Sequence, residues 1–279
     1  MTVGRSGRTP AKHELMRSIV GKEVGAAGAM RPIQRLVWFD LTAGDGLPAD
    51  GQDWSRSCSP GILATSASKS AKPVSLRLYE IKPATYDRLL ANLAAQLPAL
   101  GYSQAADNVW TIGSHVALSA VCGSGATALV DDVVDTDAVL AVNDPNAITD
   151  WAIRPTFAAE LLRRTPWSRS LSTMGCNPAG LKRLKHEERL PWFGLVAAQE
   201  AALPGYRDLL LAAIEGDDAQ WAYLLCEPVK WRDTQQVVAA RAFAKYGYSL
   251  DMSWHRTHPA EFELLKQRLF LTKAERRAA

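Results

Sequence analysis

No run of eighteen consecutive apolar residues occurs in this chain of 279 residues, so nothing in it reads as a membrane-spanning helix. Cysteine is scarce: Cys58, Cys122, Cys176 and Cys226 are widely separated. No two stand at metal-ligand spacing, which excludes a zinc site and leaves reduced thiols as the expectation. The sequence has no phosphate loop ending in Gly-Lys-Ser/Thr, no helical metal motif and no Ser-His-Asp arrangement, so kinase and hydrolase chemistry find no support. Residues Met1 to Arg8 are polar and basic with no apolar stretch behind them. No secretory signal is expected, and a cytoplasmic location in a bacterium or phage follows as the default. No internal repeat is visible, and the length suits one domain spanning 1–279.

What the chain does have is an apolar run, Leu36 to Leu41, that ends in a small-residue turn, Thr42-Ala43-Gly44-Asp45-Gly46. Runs of this length bounded by glycine read as buried strands. Glycines after such a strand let a ligand approach the backbone, because no side chain stands in the way. Asp40 sits near the end of the run. A second strand pattern, Val74 to Glu80, also ends in an acid, and Pro83 to Leu97 reads as the helix after it. An acid at the end of a second strand is placed to accept from the two hydroxyls of a ribose. A third apolar run, Ala138 to Asn143, leads into Asp144-Pro145-Asn146. Each piece alone has an ordinary reading, as a tight turn or a surface acid; three in order, each after a strand, point to one crevice.

Strand-Asp-x-x-x-Gly-x-Gly, strand-Glu and strand-Asn-Asp-Pro-Asn together resemble the class I methyltransferases that use S-adenosylmethionine, over roughly residues 35 to 226. The resemblance implies an α/β, Rossmann-like fold with a mostly parallel central sheet and helices on both faces. It implies cofactor contacts from Asp40, Thr42, Gly44, Gly46, Glu80 and Asn143. It implies chemistry at Asp144 and Asn146: the first accepts a hydrogen bond from the attacking amino or hydroxyl group, and the second orients that group. Enzymes that methylate amino groups of DNA carry Asp-Pro-Pro-aromatic or Asn-Pro-Pro-aromatic. Here Asn146 and Ala147 stand instead, so no ring follows to stack a flipped base.

Charge is segregated along the chain. Between Gly101 and Asp150 there are seven aspartates and no Lys or Arg, whereas residues 1 to 35 hold seven basic residues against Glu14 and Glu23. Further basic stretches run from Arg163 to Arg189 and from Lys266 to Arg277. The net charge is only +3. A positive rim beside the crevice would attract a nucleic-acid backbone, and solvated helix faces are the plain alternative. Of nine tryptophans, Trp38 falls in a core strand pattern. Trp151, five residues beyond Asn146, is the one placed to touch substrate. Asn177, in the turn Cys176-Asn-Pro-Ala-Gly180, is placed to shape the target pocket.

Between these landmarks the pattern predicts a flexible 1–10 and a helix over 12–24 that Gly25 to Gly28 end. It predicts a loop insertion at 47–73, containing Cys58 in a setting open to solvent, and a short strand at 108–112 followed by His115. A broken helix is expected over 116–130, a helix at 155–164 and a strand at 170–175. Two helices ending near Glu215 should follow, then a strand at 221–226 with Cys226 packed and a helix at 234–246. An antiparallel strand at 248–254 and a helix at 259–268 close the chain. His115 reads as a satisfied or surface histidine before a base.

The sequence thus predicts an S-adenosylmethionine-dependent methyltransferase, acting on nucleic acid, with no membrane partner. Two other classes remain. A methyltransferase-like fold without catalysis, serving a protein partner, fits the altered Asp144-Pro-Asn-Ala147. Together with Lys12-His13, that stretch resembles partner-type methyltransferase-like proteins of bacterial mobile elements. A nicotinamide-dependent oxidoreductase would share the glycine turn and ribose acid, but Pro48 follows Gly46 and no third glycine opens a helix.

Overall fold

The computed structural model describes residues 9–48, 52–125, 128, 130–143, 163–175, 205–215, 218–228, 241, 243–254, 259–271 and 273–278. Helix α1 covers Thr9–Ala29 and is followed by β1, Arg35–Asp40. Two short helices come next, α2 at Trp54–Ser57 and α3 at Ser59–Ala67, then β2 at Val74–Glu80 and α4 at Pro83–Gln96. Strands β3 (Ser103–Ala106), β4 (Val109–Ile112), β5 (Val116–Cys122), β6 (Asp137–Asn143) and β7 (Ser168–Gly175) follow. The described chain ends in β8 (Tyr206–Glu215), β9 (Asp218–Pro228), β10 (Ser249–Trp254), α5 (Pro259–Phe270) and α6 (Lys273–Ala278).

All ten strands form one sheet in the order β10-β8-β9-β7-β6-β1-β2-β5-β4-β3. The chain lays β2 and β5 on one side of β1, then returns to lay β6 and β7 on the other. That reversal opens a crevice at the carboxyl ends of β1 and β6. The four pairings β5-β2, β2-β1, β1-β6 and β6-β7 are parallel. The other five are antiparallel. The sheet is therefore mixed, not mostly parallel. A β3-β4 hairpin extends one edge, and β8 to β10 extend the other as an antiparallel ribbon.

Strand β6 is buried along its whole length and β1 over all but its first residue. This follows from cover on both faces. On one face Leu36, Trp38, Leu76, Leu78, Leu140 and Val142 pack under α1, α3 and α4. On the other Val37, Phe39, Leu41, Val139 and Ala141 pack with Tyr79 and with Ala128, Val130 and Val133 from the segment after β5. Helix α5 buries Phe262, Leu265 and Leu269 against the ribbon of β8, β9 and β10.

Several expectations are corrected. The insertion 47–73 is not one long loop but carries α2 and α3. Asp53 caps α2 by accepting from Ser55 N at 2.9 Å, and Pro60 opens α3. Cys58 is buried there, not open to solvent. Residues 116–122 form β5 rather than the start of a helix, because Val116, Leu118 and Ala120 are buried alternately, a period of two. Residues 206–215 are strand β8, whose neighbours β9 and β10 satisfy its backbone on both sides. Helix α1 runs through Gly25 and Gly28, because Ala27 continues its buried stripe of Leu15, Ile19, Val20 and Glu23. The expected helices at 155–164 and 234–246 lie largely outside the described residues, as do residues 1–8.

Candidate active site

Three strand ends build the crevice. Asp40 closes β1 between Leu78 of β2 and Val142 of β6. Its carboxyl is fully buried and Oδ1 accepts from Thr42 N at 3.2 Å. That bond bends the chain off the strand and starts the turn. The turn is pinned on both sides by backbone: Leu41 N donates to Val142 O and Ala43 N to Tyr79 O, each at 2.9 Å. Gly44 and Gly46 both take positive φ, +64° and +67°. A Cβ on Gly44 would meet nothing within 4 Å, so that position faces open space. A Cβ on Gly46 would lie 2.7 Å from Leu89 Cδ1 of α4.

The carbonyls of the turn are held from outside by residues that sequence reading did not single out. Trp54 Nε1 donates to Gly46 O at 2.8 Å, and Cys58 Sγ lies 3.4 Å from the same oxygen. Asn92 Nδ2 of α4 donates to Asp45 O at 2.7 Å. Burial pushes the Cys58 thiol up to about 12, so it stays protonated as a donor. The available signal was Asp53, a helix-capping residue just before Trp54. Reading 47–73 as loop concealed it.

Glu80 ends β2, almost buried, with Oε1 accepting from Lys82 N at 2.8 Å. Its second oxygen makes no hydrogen bond among the described residues. Cys122, exposed, is its register partner on β5. The segment after β5 closes over the turn: a Cβ on Gly125 would sit 2.5 Å from Leu41 O, so only glycine passes there. Asn143, fully buried, ends β6 opposite Ser172 of β7.

Asp40, Thr42, Gly44, Gly46, Glu80 and Asn143 thus lie at the carboxyl ends of three neighbouring strands. Asp144, Asn146, Trp151 and Asn177 lie outside the described residues. His115 sits at the amino-terminal edge of the sheet, away from the crevice. Its Nε2 is 2.8 Å from Ser70 O, and its own carbonyl accepts from Val74 N.

The charge runs that look segregated in sequence interleave in space. Arg35 bonds Asp137 with two nitrogens, at 3.1 and 2.6 Å, and Arg77 pairs with Asp132 while covering the Phe39 ring. Arg164 reaches Asp131. Arg169 is buried between Glu23 and Glu227. Arg35 and Arg169 are therefore structural ion pairs, not parts of a positive rim.

Compared with solved structures, the chain resembles protein LPL1258 from Legionella pneumophila str. Philadelphia 1 over 89% of its own length and 97% of that chain, with TM-score 0.55 and 9% identity. At 9% identity that likeness is one of fold alone. Looser likenesses are to Trm1 from Pyrococcus horikoshii in complex with S-adenosyl-L-methionine and to human methyltransferase 10 domain containing protein. The first has 11% identity and TM-score 0.46, over 81% of this chain and 57% of that one. The second has 11% identity and TM-score 0.38, over 80% and 83%. No family model matches the chain, and no curated protein matches it. Within the described residues no helix is long and apolar enough to cross a membrane, and no group of His, Cys, Asp and Glu is gathered to hold a metal.

Proposed function

We propose that the chain is an S-adenosylmethionine-dependent methyltransferase acting on nucleic acid. The observation that carries this reading is the pairing of an open, positive-φ Gly44 with the available carboxylate oxygen of Glu80, at neighbouring strand ends of the crevice. These residues fit the cofactor's chemistry. Gly44 admits a ligand to the backbone, and Glu80 can accept from two ribose hydroxyls. Asp40 holds the turn through Thr42, while Trp54, Cys58 and Asn92 fix its carbonyls, so the cradle is organised before binding. The cofactor, when bound, supplies an electrophilic methyl group on a sulfonium. Asn143 would flank the reacting end of the crevice. Asp144 would accept the proton of the attacking group and Asn146 would orient it. A nucleic-acid acceptor is supported by cations such as Arg56 and Lys69 that no described carboxylate pairs. A second reading, binding without transfer, is favoured by Asn146-Ala147 standing where the amino-methylating enzymes have proline and an aromatic ring.

Calorimetric titration with S-adenosylmethionine tests the cofactor, alongside an Asp40→Ala/Glu80→Ala double variant whose fold is checked by circular dichroism. Micromolar binding that the variant loses is expected. No binding by well-folded wild type would sink the reading. Transfer of a labelled methyl group to RNA or DNA, lost in Asp144→Ala, separates the enzyme from the binding protein.

A further inference from the structure

Behind the glycine turn, on the far side of α2, the helices enclose a cavity of about 360 Å³. From α1 it takes Arg17, Gly21 and Val24, spaced i, i+4, i+7 along one face. From α3 and its end it takes Ile62, Thr65, Ser66 and Lys69, again one helical face, and α2 adds Ser55 and Arg56. Among the described residues three cations line it and no carboxylate does.

The nearby acids are already engaged. Glu14 pairs with Arg17 at 2.5 Å and with Lys245 at 3.2 Å, while Asp53 accepts from Ser55 N and Oγ. Among the described residues Arg56 and Lys69 make no ion pair or side-chain hydrogen bond. The hydroxyl protons of Ser55 and Ser66 are committed, to Asp53 and to Ile62 O. Thr65 Oγ1 is shielded from solvent and therefore does not open into the groove. Two unpaired cations, with a third that Glu14 holds, line a groove wide enough for a phosphate backbone, and guanidinium and ammonium groups are the side chains that bind phosphate.

We infer that this groove between α1 and α3 grips a phosphate of the nucleic-acid strand whose target nucleotide enters the crevice. The inference rests on the methyltransferase reading for its substrate class. Placement supports it: at one end of the groove Trp54 of α2 holds the cofactor turn while its neighbours Ser55 and Arg56 line the groove, which follows α3 from there to Lys69, beside Ser70 at the amino-terminal edge of the sheet. Gly21, with nothing within 4 Å of a Cβ position, leaves the groove floor open for a backbone to pass.

The test is fluorescence anisotropy of a short labelled single-stranded oligonucleotide against the full chain, titrated across salt concentration. The Arg56→Gln/Lys69→Gln variant should bind more weakly, with a slope of log K against log salt shallower by about 0.7, the value for one phosphate contact on a single strand. Arg56→Lys/Lys69→Arg should keep the slope. An unchanged affinity and slope in Arg56→Gln/Lys69→Gln overturns the inference. So does inorganic phosphate binding the groove as tightly as the oligonucleotide, which would make it a site for a free anion. S-adenosylmethionine calorimetry on the same proteins keeps the two ideas apart. Groove-dependent binding without cofactor affinity sinks the transferase reading alone, and cofactor affinity without groove-dependent binding sinks the groove alone.

Discussion

Gly44 and Gly46 share a left-handed backbone and differ in what surrounds them, so they separate the two duties of the turn. At Gly44 an alanine pays only the backbone cost, about 1–2 kcal/mol, because nothing lies within 4 Å. At Gly46 the same φ is joined by a 2.7 Å approach to Leu89 Cδ1, and the carbonyl is held by Trp54 and Cys58. Strain and overpacking together make Gly46→Ala cost about 2–4 kcal/mol. Urea unfolding should show the larger loss for Gly46→Ala, whereas calorimetry should show Gly44→Ala losing cofactor affinity out of proportion to its small loss of stability. Equal losses of stability in the two variants would mean that Leu89 yields freely and that the turn is not clamped from α4. The strand-end residues were readable because burial and chemistry coincide there: a continuous apolar run can end on Asp40 or Glu80 only where the chain leaves the core. Trp54 and Asn92 were not readable, since each acts on a backbone carbonyl, and a carbonyl leaves no mark in sequence.

Helix α1 shows how far tertiary packing overrides local preference. It carries Gly21, Gly25 and Gly28, and its buried residues still continue to Ala27. Each glycine in a helix interior costs about 0.5–1 kcal/mol relative to alanine, and a Cβ at Gly25 or Gly28 would meet nothing within 4 Å. Gly25→Ala should therefore raise stability by about 0.5–1 kcal/mol, and Gly28→Ala by less because it lies one residue from the helix end. Both are read from the urea midpoint at constant m-value, and a loss in either variant would show that α1 is not continuous through the glycines. The same override explains which elements could be read from sequence. Strands β1, β2 and β6 announce themselves as apolar runs ending on polar groups. Strand β8, Tyr206–Glu215, is rich in Leu and Ala, covered by strands on both edges, and carries no alternation to mark it as a strand. Strand β5 alternates, but its small residues and the following Gly123-Ser-Gly125 imitate an interrupted helix. Helices α2 and α3 are too short to establish a period.

Across the whole molecule, one buried charge cluster ties the first helix to the far half of the sheet. Arg169 at the start of β7 lies 2.5 Å from Glu23 of α1 and 3.1 Å from Glu227 near the end of β9. Two carboxylates thus face one guanidinium, almost wholly out of solvent. Burial raises the Glu23 pKa above its ordinary value of 4.5; Arg169 opposes the shift and the neighbouring Glu227 adds to it. An acid whose pKa is higher folded than unfolded favours the native state at low pH. That contribution is complete below 4.5 and is lost as pH climbs through the raised folded value. Glu23→Gln keeps the shape and the hydrogen-bonding capacity but cannot ionise. Relative to wild type it should gain stability as pH climbs above 4.5 and level off once Glu23 has ionised in the fold, read as the difference in Tm at matched ionic strength. A difference that stays flat across that range would show that Glu23 ionises as readily in the fold as outside it. Removing the cation tests the same cluster from the other side: Arg169→Met leaves two buried acids facing each other, which is costly only while they are charged. Its loss of stability should therefore shrink as pH falls, opposite to any defect of packing alone.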